Sequence, residues 1–256
     1  MHLQDDLGWS EHLWHIVTGC TRISKGCRHC RGELRWHLVT HPETRSGRMF
    51  IDVAHHPQLL DEPFQDSSSQ TIHVAPGSDL FHEDVPMSFV AAVFAVMAAT
   101  PWHTYQILTR RHQRMMETMA CLANMDGPEL ARHYALHALS AEDAEIVRSS
   151  LPATPWPLPN VWLGVVIEDQ ATAQSGIPAL LSVPAGKRTI HVEPLLGEIH
   201  LAQVKWQGGD WSHLVDWVVV GGRHFQQESF PLPWLSTLQR ECHDSGIPFV
   251  LKNLHL

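Results

Sequence analysis

From Thr71 onward, short apolar stretches alternate with segments of helical length, and that alternation limits the folds open to the chain. Thr71–Ala75, His103–Leu108, Val161–Ile167, Arg188–Val192, Asp216–Val220 and Phe249–Lys252 read as strands. They are brief, largely apolar, and mostly bounded by Gly, Pro or polar residues. Between them helices are expected over Met87–Thr100, Arg111–Asn124, Ala171–Leu181 and Trp234–Asp244, with one or two more across Pro128–Ser150. Asp84-Val85-Pro86 opens the first of these, which is apolar on all faces and so should be buried. Strands alternating with helices imply parallel pairing through right-handed crossovers. The expected class is α/β, as a partial TIM-like (β/α) barrel of six or seven strands, with a doubly wound open sheet as the alternative. Upstream, 1–13 reads as a leader, Trp14–Thr18 as a strand, Arg31–Val39 as a helix and Asp52–Phe64 as a polar loop. Residues 126–160 read as a helical insertion whose end, Pro152–Pro159, is a rigid connector with four prolines. At 256 residues the chain is long enough for one barrel-type domain or two small domains, and a single barrel domain over 1–256 is expected.

The first strand runs into Gly19–Cys30, which carries three of the five cysteines, Cys20, Cys27 and Cys30, spaced C-x6-C-x2-C. Cysteine thiolates hold iron–sulfur clusters, and a C-x2-C pair turns two sulfurs back onto one centre. Three cysteines leave one iron of a [4Fe–4S] cube open to a small molecule, as S-adenosylmethionine (SAM) radical chemistry requires. Gly19 and Gly26 would let the loop wrap a cube, and Arg22, Lys25 and Arg28 would offset its negative charge. A zinc site would need a fourth ligand; His29 lies between Cys27 and Cys30, which leaves His15 or His37. A disulfide with one leftover thiol is the third reading, and nothing else in the chain suggests secretion. Cys121 and Cys242 fall in expected helices and read as buried packing residues.

Composition narrows the function classes. Hydrophobic residues at 44% and charged residues at 18% fit a globular protein with a sizeable core. Met1–Ser10 has no apolar signal region and no run reaches the length of a membrane span, so a cytoplasmic location is expected. A net charge of −9 argues against a broad nucleic-acid surface, since phosphate binding rests on clustered Lys and Arg. Most of the 20 histidines are ordinary surface or core residues on this reading.

In a β/α barrel the active site lies at the C-terminal strand ends, and here those ends are polar or glycine-rich. They are Gly77-Ser78-Asp79, Thr109-Arg110, Glu168-Asp169, Glu193-Pro194 and Gly221-Gly222-Arg223. Ser78 and Asp79 also suit a helix cap. SAM offers an ammonium, a carboxylate and a ribose to such groups. Asp79, Glu168 and Glu193 are candidates for the ammonium or ribose, and Thr109 and Arg110 for the carboxylate, with Ser78 beside them. Gly221 and Gly222 would admit the ligand close to the backbone. By strand position, His73, His191, Arg223, His224 and Lys252 face substrate; His191, Arg223 and Lys252 are the catalytic candidates.

Several segments together resemble a phage- and bacteria-associated family of three-cysteine proteins related to radical SAM enzymes. They are Val17–Cys30, Leu59–Pro63, Ser78–Pro86, Gln106–Arg110, Trp156–Val165, Glu168–Gln170, Glu193–Gly197 and Val218–Gly222. The resemblance implies a radical-SAM-type barrel, a [4Fe–4S] cluster on Cys20, Cys27 and Cys30, and SAM as partner. The enzyme so implied would cleave SAM reductively, and the resulting 5′-deoxyadenosyl radical would take hydrogen from a small-molecule substrate. An external one-electron donor of flavodoxin or ferredoxin type would serve it. The chain departs from the family pattern at Arg31, at Arg223 after the double glycine, and at Asn253-Leu254-His255, all near the expected pocket. Two other classes compete: a zinc- or cluster-bearing protein that binds or modifies nucleic acid, and a barrel hydrolase using Glu168 and Glu193. The hydrolase leaves the cysteines unexplained.

Overall fold

The computed structural model describes residues 12–34, 49–138, 140–151, 156–221 and 232–252. Its strands are β1 (His12–Trp14), β2 (Val17–Thr18), β3 (Ala54–His55), β4 (Thr71–Val74) and β5 (Thr104–Thr109). They continue with β6 (Val161–Ile167), β7 (Lys187–Val192), β8 (Trp217–Val220) and β9 (Phe249–Leu251). The helices are α1 (Arg31–Leu34), α2 (Met87–Ala99), α3 (His112–Leu122), α4 (Gly127–Ala135), α5 (Ala141–Ser150), α6 (Gln170–Ser182) and α7 (Leu232–Asp244).

Seven strands form one sheet in the order β1-β4-β5-β6-β7-β8-β9, and every neighbouring pair is parallel. The order follows the chain without reversal, which removes the doubly wound alternative, since that fold reverses direction at a switch point. Alternation along the strands gives the sheet two unlike faces. Ile72, Val74, Tyr105, Ile107, Leu163, Val165, Ile190, Val192, Val218 and Val220 share one buried face. Arg188 lies on that face too and donates to the carbonyls of Leu180 at 3.3 Å and Val183 at 2.8 Å, at the end of α6. This is therefore the helix-covered side. The opposite face carries His73, Gln106, Gly164, Thr189 and His191. His73 lies in the electrostatic field of Lys252, just past β9. Five strand spacings of about 4.8 Å would hold them some 24 Å apart on a flat sheet, beyond the usual range of such an interaction, which implies a curved sheet.

Helix α2 buries every residue from Phe89 to Ala99. Helices α4 and α5 of the 126–160 segment pack on it, which explains a helix apolar on all sides. Asp126 caps α4 by accepting from the Glu129 amide, and Ser140 caps α5 by accepting from Asp143.

The N-terminal part differs from expectation. The main sheet begins at His12, inside the stretch read as a leader. The expected strand Trp14–Thr18 is two strands, because β2 leaves the sheet to pair antiparallel with β3. Trp14 holds the divergence, its indole N–H donating to the Leu59 carbonyl at 2.7 Å. The expected polar loop Asp52–Phe64 supplies β3 and two 3-10 turns, and buries Leu60. The expected helix Arg31–Val39 is described only as far as Leu34, and the proline-rich connector only from Trp156. Among the described residues no helix is long and apolar enough to cross a membrane.

Gly164 on β6 marks how closely the sheet packs. A Cβ there would lie 2.5 Å from both Leu108 Cδ2 and Thr189 Oγ1. Gly164→Val should lower stability by about 1–3 kcal/mol, read as a lower midpoint at unchanged slope in urea unfolding.

Candidate functional site

The C-terminal ends of the parallel strands share one edge of the sheet, and the cysteine loop lies against it. Gly19 turns the chain out of β2 at φ +78°, where a Cβ would meet the Asp52 carbonyl oxygen at 2.6 Å. The Cys20 amide donates to Phe50 O at 2.8 Å, and Ser78 Oγ donates to the Gly19 carbonyl. A short 3-10 turn over Gly26–His29 then carries Cys27 and leads to Cys30. Cys27 is buried, Cys20 and Cys30 are partly buried, and all five cysteines are free thiols.

Three strand ends hold this loop. Glu168, after β6, accepts through Oε2 from the Gly26 amide at 2.7 Å, Ser24 Oγ at 2.9 Å and Arg110 Nη1 at 3.0 Å. Arg110, after β5, also donates from Nη2 to the Glu193 carbonyl. Asp79, after β4, is buried and accepts from Thr109 Oγ1 at 2.8 Å, the Phe81 amide at 3.0 Å and the Arg110 amide at 3.2 Å. Asp79 and Thr109 thus tie two strand ends together. Asp79 caps no helix, because α2 begins only at Met87. Burial pushes its carboxyl above the usual range, opposed by Thr109 and Arg111.

The reading by strand ends missed two residues at Cys20. Arg111 is buried; its Nη2 lies 2.9 Å from Thr21 Oγ1 and 4.0 Å from Cys20 Sγ, and its Nε lies 3.0 Å from Glu83 Oε2. His82 Nε2 sits 2.8 Å from Thr21 Oγ1. Arg111 directly follows Thr109-Arg110, and that adjacency was the one available signal; in sequence it reads as the start of a helix. The Cys20 thiol is pushed up to about 12, chiefly by burial, then by Asp79, with Arg111 opposing and Cys30 and Cys27 adding. Cys20 thus lies within the electrostatic reach of both other loop thiols. Burial also raises Cys27, but the Ser24 hydroxyl, the Ile23 and Ser24 backbone and Arg110 outweigh it and leave that thiol below its usual value. Among the described residues no group of three or more His, Cys, Asp or Glu side chains is arranged to hold a metal ion.

Beyond the loop, the polar sheet face gathers His73, His191, Glu193 and Lys252. Lys252 Nζ lies 3.1 Å from Glu193 Oε1, and His191 Nδ1 lies 3.9 Å from it. A Cβ on Gly221 would meet Glu193 Oε1 at 2.9 Å, so glycine leaves the pair its room. Burial works against the Glu193 carboxylate, yet His191 and Lys252 hold it far below the usual range. The expected residues Ser78, Asp79, Thr109, Arg110, Glu168, Glu193 and Gly221 thus border the loop or this face, as do His73, His191 and Lys252. Gly222, Arg223 and His224 lie outside the described residues. Cys242 is buried as expected, whereas Cys121 is exposed on α3, a position where the helix turns away from the core.

His73 makes stability depend on pH. Burial, then Lys252 and His191, lower its pKa from 6.5 to about 3. Between those values the unfolded chain binds a proton that the native state refuses, so stability falls as pH drops. The loss should run at about 1.4 kcal/mol per pH unit below about pH 6.5. The depressed Glu193 carboxylate adds loss of the same sign below its ordinary range. Guanidinium midpoints measured from pH 7 to 4 should show a shallower acid limb in His73→Gln than in the wild type.

No curated protein and no solved structure matches the chain. A family model described as "Protein of unknown function (DUF5131)" matches residues 4–255. With nearly its whole length matched, the protein belongs to the DUF5131 family.

Proposed function

We propose that the protein is a radical SAM enzyme, with a [4Fe–4S] cluster on Cys20, Cys27 and Cys30 and SAM bound at the neighbouring strand ends. One observation carries this reading: a loop of three free thiols, held by three strand ends, borders a parallel sheet at its C-terminal edge beside a buried polar face. The sequential strand order and the curl of the sheet support a partial β/α barrel.

The donor set fits such a group. A cube takes one thiolate on each of three irons, a wider arrangement than side chains closing on a single ion. Arg110 stands within the electrostatic reach of Cys27 and Arg111 within that of Cys20, as an anionic cluster requires. When bound, cluster and SAM would supply one-electron cleavage of the sulfonium and a radical able to abstract hydrogen. The chain's own residues would bind and orient. Glu193, kept ionised by Lys252 and His191, offers a carboxylate to the SAM ammonium or ribose, and Gly221 allows close backbone approach. His73 and His191, both buried on the polar face, would meet a small-molecule substrate as neutral imidazoles. An external flavodoxin- or ferredoxin-type donor would supply the electron.

Anaerobic reconstitution with iron and sulfide tests the proposal. About four irons per chain are expected, with a dithionite-reduced EPR signal that SAM perturbs and Cys27→Ala abolishes. One tightly held zinc with no iron uptake would sink the reading and return the zinc-bearing alternative.

A further inference from the structure

Glu168 is anchored through its backbone and through one carboxylate oxygen. Its amide donates to Thr172 Oγ1 at 2.9 Å, at the first turn of α6, where Asp169 and Thr172 form a capping box. Its carbonyl accepts from the amides of Leu196 at 2.7 Å and Gly197 at 3.2 Å, beyond β7. Backbone anchored at two neighbouring corners leaves the side chain, which is 2% exposed, one direction in which to point. That direction is the cysteine loop, where one oxygen takes all three donors: Gly26, Ser24 and Arg110.

The loop is shaped to match. A Cβ on Gly26 would sit 2.1 Å from Glu168 Oε2 and 3.0 Å from Arg110 Nη1, so only glycine lets the turn seat on the carboxylate. Ser24 Oγ bridges onward and lies 3.4 Å from Cys27 Sγ. The Gly26 amide belongs to the residue just before Cys27, so the carboxylate fixes Cys27 through both backbone and side chain. Arg110 balances the charge, which makes the buried anion tolerable.

We infer that Glu168 is a positioning residue that pre-forms the cysteine loop around Cys27 in the metal-free protein, and is not itself a ligand of SAM. The inference rests on the proposed function only in naming what the loop receives; the loop's pre-formation stands or falls separately. Three donors occupy Oε2, and with the side chain 2% exposed little of the carboxylate is left open to a SAM ammonium. Pre-formation spares metal insertion the entropy of ordering the loop.

Hydrogen–deuterium exchange on the metal-free full chain reads this directly. In the wild type the amides of Gly26 and Cys27 should exchange slowly. Glu168→Ala should speed them at least about tenfold, the worth of a hydrogen bond to a charged group, while β5 to β7 keep their protection. Glu168→Gln, which keeps an acceptor oxygen and the shape, should fall between. Gly26→Ala should free the same amides with Glu168 intact, and it serves if Glu168→Ala does not fold. Iron bound per chain after reconstitution should fall in the same order. Fast wild-type exchange at Gly26, or exchange there unchanged in both Glu168→Ala and Gly26→Ala, would overturn the inference. Slow exchange in a protein that takes zinc and refuses iron would uphold it while the radical SAM reading fell.

Discussion

Parallel pairing in chain order is the constraint on which the rest of the molecule depends. It puts the end of every strand on one edge of the sheet, so residues far apart in the chain arrive at one place. Glu168 reaches Gly26 across a separation of 142 residues only because β6 ends where the cysteine loop begins. Right-handed crossovers then put the helices on one side. The other side is free of the need to be apolar, and it carries His73, Gln106, Thr189 and His191. A sheet serving only as scaffold would have little reason to bury so many polar groups, each of which requires a partner.

At the strand ends two buried carboxylates are supplied with such partners. Asp79 is satisfied by Thr109 and two backbone amides and Glu168 by Gly26, Ser24 and Arg110, while Glu193 stands 3.1 Å from the Lys252 ammonium. Each of these carboxylates has either a cation or several neutral donors, which is what a low-dielectric surrounding demands. The outcome is a division of labour that strand-end position alone does not reveal. Asp79, Thr109 and Glu168 hold the edge together, while Glu193 and the two histidines face the polar side of the sheet.

Much of this was legible in one dimension. The strands from β4 to β9 and the helices from α2 to α7 lie within a few residues of where the periodicity places them, because each pairs a strong local pattern with clear punctuation. The stretch Pro128–Ser150, read as one or two helices, is two, each opened by its own cap, Asp126 and Ser140. The errors gather where the pattern is weak. β2 and β3 are two residues each and exist only because they pair with one another, so neither carries a periodic signal. Leu60 and Trp14 make the 52–64 segment part of the core, a fact set by burial and not by local composition. Cys121 was misplaced for the same reason: membership in a helix does not say which face a residue occupies.

The cysteine spacing, the polar strand ends and the strand–helix alternation are properties of the chain itself. They determine an α/β fold with a thiol loop entering near the N-terminus, because short-range patterns report secondary structure and ligand type. Tertiary structure decided the roles. Only packing shows that Gly26 is glycine to seat on Glu168, that Arg111 lies against Cys20, and that Lys252 stands across a curled sheet from His73. Such pairings depend on distance in space, and sequence order carries no record of that distance until the sheet has closed the gap.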